Sequence, residues 1–217
     1  MIKLDTVKLL VDLAFMTASS PSSRSQPKNL RNTLVRAGID LLEEGGIEAL
    51  TLRKCAARAG VSHAAPAHHF DGLAGLKAAI AAEGFRIFSN YMREARAQGD
   101  QSARGQLKSI CRGYLQFGVD HGGILRVIFG DRGLAALVPG GAREDADAYQ
   151  ILREVCAPFV PEGTNARVIE LQVWSLIHGF TMLSLAGEFG APGGPLEDGL
   201  FDQILGLLNA LGTSGTT

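Results

Sequence analysis

Residues 51–70 read TLRKCAARAGVSHAAPAHHF, and this stretch decides the fold. Thr51 is an N-cap residue ahead of Leu52-Arg53-Lys54, and Gly60 is a helix stop with the freedom to take positive φ. Together they bound a short helix over about 52–59. Ser62 is a second N-cap residue and predicts another short helix over about 63–69. Ala59-Gly60-Val61-Ser62 joins the two. Val61 can plug the angle between them, and Leu52, Ala56 and Phe70 can bury there. Ala56 is small where the helices cross closely, which sets the second helix at an angle suited to a major groove. That second helix carries His63, Ala64, Ala67 and His68, all small or polar, so it is not packed on every side. A plain helical hairpin inside a core is the competing reading, and this open face argues against it. Pro66 would be the fourth residue of the second helix. It gives up the bond to the Ser62 carbonyl, at a reduced cost because Ser62 is not itself helical.

The rest of the chain after Asn29 alternates helical periodicity with Gly/Pro punctuation and has no alternating strand pattern. A first helix over about 29–44 ends at Gly45-Gly46, where glycine is the expected stop. A long helix over about 73–97 follows the motif, and further helices fall near 103–120, 123–129, 142–157, 164–187 and 197–211. Pro139, Pro161 and the run Ala191-Pro-Gly-Gly-Pro195 mark breaks. Residues 1–16 allow a short amphipathic helix, with no signal-peptide pattern, and residues 17–27 are Ser/Pro-rich. Residues 1–27 thus read as a disordered or weakly helical extension, with Met16 a candidate for the true start. The fold class is all-α: a three-helix helix-turn-helix domain over 28–76, a long connecting helix, a second helical domain over 77–211, and a tail from 212.

Composition narrows the function. Of 217 residues, 46% are hydrophobic and 20% charged, the balance of a globular protein with a sizeable core. No apolar run reaches the roughly 18 residues of a membrane span, so a membrane role is not expected. Three scattered cysteines, with no CxxC, suit a reducing cytoplasm. The net charge is only −1, but Arg24–Phe70 holds seven Lys/Arg against four acids, whereas Gln101 onward holds eight against twelve. A basic N-terminal part joined to an acidic remainder points to an anionic partner at the N-terminal end. A Gly-rich phosphate loop, an HExxH and a serine elbow are all missing, so nothing points to an enzyme. No cofactor or metal is implied. His63 and His68 stand five apart on the expected helix, with no Cys or carboxylate to join them.

Residues 28–76 resemble the N-terminal domain of TetR-type regulators, through Ala37, Leu41, Gly46, Thr51-Leu52-Arg53, Ala56, Ala59-Gly60-Val61-Ser62 and His68-His69-Phe70. Trp174-Ser-Leu-Ile-His178-Gly179 is similar to the Trp–His–Gly signature of one subgroup, and Val61-Ser62-His63-Ala64-Ala65-Pro66 is typical of it. The resemblance implies a ligand-responsive transcriptional regulator, a repressor, that binds a palindromic double-stranded DNA operator as a homodimer. It puts Ser62, His63, Ala64, Ala65, Ala67 and His68 on or near the groove face. His63 and His68 are then base-edge or phosphate donors, and the alanines can contact thymine methyls. Thr51 caps a helix whose N-terminal amides can receive a phosphate, and Arg53 can reach backbone or base. Arg24, Lys28 and Arg31 can form an arm along the phosphates or the minor groove. His69 reads as a core or hinge residue and Arg58 as a solvated one.

Two positions depart from the family. Ala67 stands where a tyrosine is usual, and Leu73 where a lysine is usual; both of those residues grip phosphates. Lys77, one turn on, is the partial substitute. These losses predict weak or arm-dependent DNA binding, and they keep open an alternative: a degenerate relative that binds a ligand or partner instead of DNA. In the second domain the resemblance implies a cavity for a small, largely apolar effector. His121 and His178 are candidates to orient the effector, with Phe117 and Trp174 as wall. A purely structural hydrogen bond by each histidine is at least as good a reading. Gly122-Gly123 replaces a His-Pro dipeptide frequent in the subgroup. The last two helices are expected to form a four-helix dimer interface through Ile169, Val173, Leu176 and Phe180 with Ile204, Leu207, Leu208 and Leu211.

Overall fold

The computed structural model describes residues 27–130, 147–190 and 199–212. The chain from Arg31 on forms one compact unit; of the other, Met1–Leu30, only the first residues of α1 are described. Among the described residues every regular element is helical. Arg24 and the breaks at Pro139 and 191–195 lie outside the described residues, as does the expected tail apart from Gly212.

Helix α1 (Pro27–Ala49) buries Leu34, Val35, Leu41 and Leu42, two adjacent pairs set two turns apart along a single face. Gly46 breaks it at φ 65°, ψ −165°, where the sequence places the stop, and the turn beyond delivers Leu50 to the core. Helix α2 (Leu52–Arg58) starts at Thr51, whose hydroxyl accepts from Lys54 N–H at 3.2 Å. Cys55 and Ala56 are fully buried. Gly60 turns the chain at φ 69°, and Val61 N–H closes back on the Ala56 carbonyl at 3.0 Å.

The expected helix over 63–69 is not an α-helix. A 3₁₀ segment (Ala65–His68) takes its place, preceded by Ala64 with no side-chain cap, so Ser62 does not serve as a side-chain N-cap. Pro66 supplies the reason. It has no N–H to close an α-turn onto Ser62, so the chain closes tighter bonds instead. Ala65 N–H bonds to the Ser62 carbonyl, Ala67 to Ala64 and His69 to Pro66, all three residues back. Pro66 is itself buried, so its ring serves as a core side chain.

Helix α3 (Gly72–Gln98) runs on as the spine, with Leu76, Ile80, Phe88 and Met92 buried. It packs most extensively against α4 (Ala103–Asp120) and also against α5 (Gly122–Gly130) and α6 (Asp147–Cys156). Glycines permit the closest crossings. A Cβ on Gly113 of α4 would meet the Tyr91 carbonyl of α3 at 2.6 Å, and one on Gly84 would meet Ile124 at 2.4 Å. Helix α7 (Ala166–Ala186), capped by Asn165 and stopped by Gly187 at φ 86°, lies on α4 and α6. It is the one helix among the described residues long and apolar enough, by length and composition, to cross a bilayer. It buries Ile169, Val173, Ile177, Phe180 and Leu185 in the protein core, as the central helix of a bundle does. The expected long last helix is shorter than predicted: α8 (Leu200–Leu205) passes into a 3₁₀ segment (Gly206–Ala210). Arg104 pins this end. Its guanidinium donates to the Leu208 and Leu211 carbonyls and lies over the Phe159 ring, 4.1 Å from the centroid.

Candidate nucleic-acid interface and ligand cavity

The helix-turn-helix sets its scaffold inside and its small polar residues outside. Cys55, Ala56, Pro66 and Phe70 are buried; Thr51, Arg53, Ser62, His63, Ala64, Ala67 and His68 are exposed, and Ala65 and Lys77 half-buried. All the expected groove residues from Ser62 to His68 therefore fall on one short excursion of the chain. His69 turns partly inward, edge-on to Phe70 at 6.4 Å, in keeping with its reading as a hinge or core residue.

The basic residues behave differently from one another. Arg58 forms a two-armed pair with Glu44 of α1, which holds the Glu44 carboxyl below its usual range. Arg31 is exposed but lies over the Phe70 ring, 5.4 Å from its centroid, so it is part of the head's surface. Lys28 sits in the first turns of α1.

Between the helix-turn-helix and the bundle, His121 lies 22% exposed at the end of α4, its Nδ1 donating to Glu43 Oε1 of α1 at 2.6 Å. Its Nε2 lies 3.3 Å from the Tyr91 hydroxyl, which donates to Asp120 at 2.9 Å. Burial, with Asp120 beside it, pushes the Tyr91 hydroxyl far above its ordinary range. Directly beside this cluster, a Cβ on Gly123 would meet the Leu42 carbonyl at 2.7 Å. Gly122-Gly123 thus allows α5 to dock against the backbone of α1.

The bundle carries a half-open apolar cleft with about 530 Å³ of empty space, its solvent-open part included. Its aromatic wall comes from Phe85 and Phe88 of α3, Tyr114 of α4, Phe129 of α5, Tyr149 of α6 and Trp174 of α7. Two of the four expected pocket residues fit this geometry: Trp174 lines it, and His178 backs it, bonded through Nδ1 to the Tyr114 hydroxyl at 2.7 Å. Phe117 and His121 are not among its lining. Phe117 is fully buried behind Phe88, ring centroids 5.0 Å apart, and His121 faces Glu43. The Tyr149 hydroxyl donates to the buried Glu170 at 2.6 Å. Both tyrosine hydroxyls of the wall are therefore turned into the protein. The sequence reading did not single out Phe85, Phe88, Phe129 or Tyr149 for the pocket. Phe85 and Phe88, one turn apart on α3, were the available signal. Cys111 also lines the cavity; burial pushes its thiol, and that of Cys156, up to about 12.

A buried helix-turn-helix scaffold with an open reading face, continuous with a cavity-bearing helical bundle, defines the class of bacterial helix-turn-helix regulators. Residues 34–80 match the family of bacterial regulatory proteins, tetR family, and residues 107–208 match the tetracyclin repressor-like C-terminal domain. The chain belongs to the TetR family of transcriptional regulators. A protein of unknown function from Rhodococcus sp. RHA1 is similar in structure at TM-score 0.64 and 25% identity, over 90% of this chain and all of that one. The regulator FadR from Bacillus subtilis, solved in complex with stearoyl-CoA, is similar at TM-score 0.64 and 14% identity, over 84% of this chain and 99% of that one. A TetR family regulator from Marinobacter aquaeolei VT8 is similar at TM-score 0.61 and 15% identity, over 84% of this chain and 95% of that one. No curated protein matches the sequence.

Proposed function

We propose that this DNA-binding transcriptional regulator is a repressor that holds a palindromic operator as a homodimer and releases it when a small apolar effector enters the bundle. In this reading residues 28–76 read DNA and 77–211 bind the effector and the second copy. The groove residues are Ser62, His63, Ala64, Ala65, Ala67 and His68, with Thr51, Arg53, Lys77, Lys28, Arg31 and Arg24 toward the phosphates.

The observation that carries the DNA reading is the segment Ser62–His68: exposed, almost without bulk, and held by the buried Pro66 and Phe70. Small side chains let the backbone approach base edges closely, and two such segments must meet half-sites about 34–36 Å apart on one face of the duplex.

The effector reading rests on the cavity. Its described lining has six aromatic rings and no Lys, Arg, Asp or Glu. A neutral apolar molecule fits such a wall better than a charged one. Although the Bacillus subtilis relative was solved with stearoyl-CoA, the described lining here offers no cation to the phosphates of a coenzyme A ester. Release requires that the effector bind the DNA-incompetent state more tightly.

One observation favours the second reading, a relative that has given up tight DNA binding. Ala67 and Leu73 lack the usual phosphate grips, and the reading segment is a 3₁₀ turn. Selection of bound duplexes from random DNA tests both. A palindrome supports the repressor reading; no enrichment at low salt supports the second. Trp174 is the chain's single tryptophan and lines the cavity, so its fluorescence reports occupancy directly.

A further inference from the structure

The reading face raises a charge problem. From Ser62 to Phe70 the chain has no lysine or arginine, and its basic side chains are His63, His68 and His69. His69 is half-buried against Phe70. His63 and His68 are exposed, and neither has an ion pair or hydrogen bond among the described residues. The permanent cations nearby are partly spoken for: Arg58 is paired with Glu44, and Arg31 lies over Phe70. Phosphate contacts supply essentially all of a protein's non-specific affinity for duplex DNA and a large share of its specific affinity. Arg53, at the start of α2, lies outside the segment; within Ser62–Phe70 the side chains that can carry positive charge are imidazoles.

We propose that His63 and His68 are the phosphate-gripping cations of the reading face, so that this protein takes up protons as it binds DNA and holds DNA more tightly in mild acid than in mild base. The inference rests on the reading of Ser62–His68 as the groove segment. An imidazole titrates near about pH 6.5, inside the physiological range. A phosphate beside it favours the charged form, so the bound protein holds its protons to higher pH than the free protein does. The gain in affinity is therefore complete below the free protein's titration and disappears as pH rises through that of the complex.

The elements around the segment carry charged groups but no further histidine. On α1 they are Lys28, Arg31, Arg36, Asp40, Glu43, Glu44 and Glu48; on α2, Arg53, Lys54 and Arg58; at the start of α3, Asp71 and Lys77. Burial raises the Asp40 carboxyl, but its strongest neighbours are Glu43, Arg58 and Glu44, on the side of the head occupied by the Arg58–Glu44 pair. The exposed Asp71 carboxylate at the start of α3 opposes phosphate. The missing tyrosine and lysine are then replaced by grips that switch with pH.

The test measures binding by fluorescence anisotropy across a salt series, at about pH 6 and about pH 8. Two duplexes of about 30 base pairs serve as probes: one selected by the protein from a random pool, the other of random sequence. Between the two pH values the wild-type affinity is expected to rise by about tenfold per histidine. The slope of log K against log salt is expected to steepen by about 0.9 for each phosphate gripped. The double variant His63→Gln/His68→Gln loses both changes, while His63→Arg/His68→Arg binds with the acid-form slope at either pH. Both positions are exposed, so a thermal melt matching the wild type certifies folding. Binding with equal affinity and slope at both pH values overturns this inference and leaves the DNA reading standing. An undiminished pH response in the double variant overturns it too, and moves the response to another group such as His121. No binding to either duplex at either pH overturns the DNA reading and this inference with it.

Discussion

Thr51 illustrates how a single side chain sets an element. Its hydroxyl satisfies the Lys54 amide, one of the donors that the start of α2 would otherwise leave unpaired. Thr51→Ala is expected to cost about 1 kcal/mol, lowering Tm by about 2–4 °C in calorimetry, whereas Thr51→Ser keeps the wild-type Tm. Cys111 and Cys156 give a residue-scale pH dependence. Burial raises both thiols from 9.0 to about 12, so the folded protein holds their protons more strongly than the unfolded chain does. Their contribution to stability is whole below pH 9 and is lost as pH rises toward 12. The urea midpoint is therefore expected to fall above about pH 9, and the alkaline decline to be shallower in Cys111→Ala/Cys156→Ala, though that variant is weaker at neutral pH. Caps and stops such as Thr51, Gly46 and Gly60 were legible in the sequence because each acts on its own turn. The partners of Arg31 and Arg58 were not, because Phe70 and Glu44 are distant in sequence and meet them only once the helices pack.

At the scale of elements, the reading segment shows where local rules compete. The helix-turn-helix spacing predicted two short helices. One formed, and the other became a 3₁₀ turn, because Pro66 could not donate the bond that an α-turn needs and was instead used as a buried ring. Sequence reasoning recognised that lost bond but treated it as tolerable; the side chain's burial, which holds the tighter turn in place, depends on tertiary packing. The C-terminal elements were misjudged for a related reason. A continuous apolar pattern near 197–211 suggested one helix, yet α8 tightens into a 3₁₀ segment whose last carbonyls are taken by Arg104. Those two bonds and the stack on Phe159 need a planar fork. Arg104→Leu is expected to cost about 2 kcal/mol, read as a fall in the urea midpoint, and Arg104→Lys to recover less than half of it. At the other close contact, Gly123→Ala places a methyl group 2.7 Å from the Leu42 carbonyl, so α5 must move away from α1. That strain is expected to cost about 1–3 kcal/mol and to change how effector binding is transmitted, measured as the ratio of operator affinities with and without effector.

The whole molecule poses a question of helical phase. Fold and family were legible because amphipathic spacing and turn residues repeat along the chain. Which side of α7 would meet a second copy was not, because α7 is apolar on both sides and periodicity has no contrast there. Of the residues expected at such a face, Ile169, Val173, Phe180 and Leu208 are buried in this chain, Leu176, Ile204 and Leu211 are half-buried, and Leu207 is exposed. The apolar residues α7 turns outward are Val168, Leu171 and Leu183, exposed at 51%, 44% and 48%, and Leu207 follows from the last segment at 62%. Scattered exposed apolar side chains need no explanation, but Val168, Leu171 and Leu183 lie within about 120° of one another around α7 and mark a face that a second copy would bury. Leu171→Glu/Leu183→Glu puts charges on that face while leaving the core intact, so Tm is expected to change by no more than a few degrees. Sedimentation equilibrium should then find half the wild-type mass. Affinity for a palindromic duplex should fall by about a hundredfold or more, because the second half-site is no longer bound as part of the same molecule. Val173→Glu, on the buried side of the same helix, should instead unfold the chain by burying an unpaired charge. If the double variant keeps its wild-type mass, dimerisation through this face is excluded, and the palindrome must be met by a different pairing of copies.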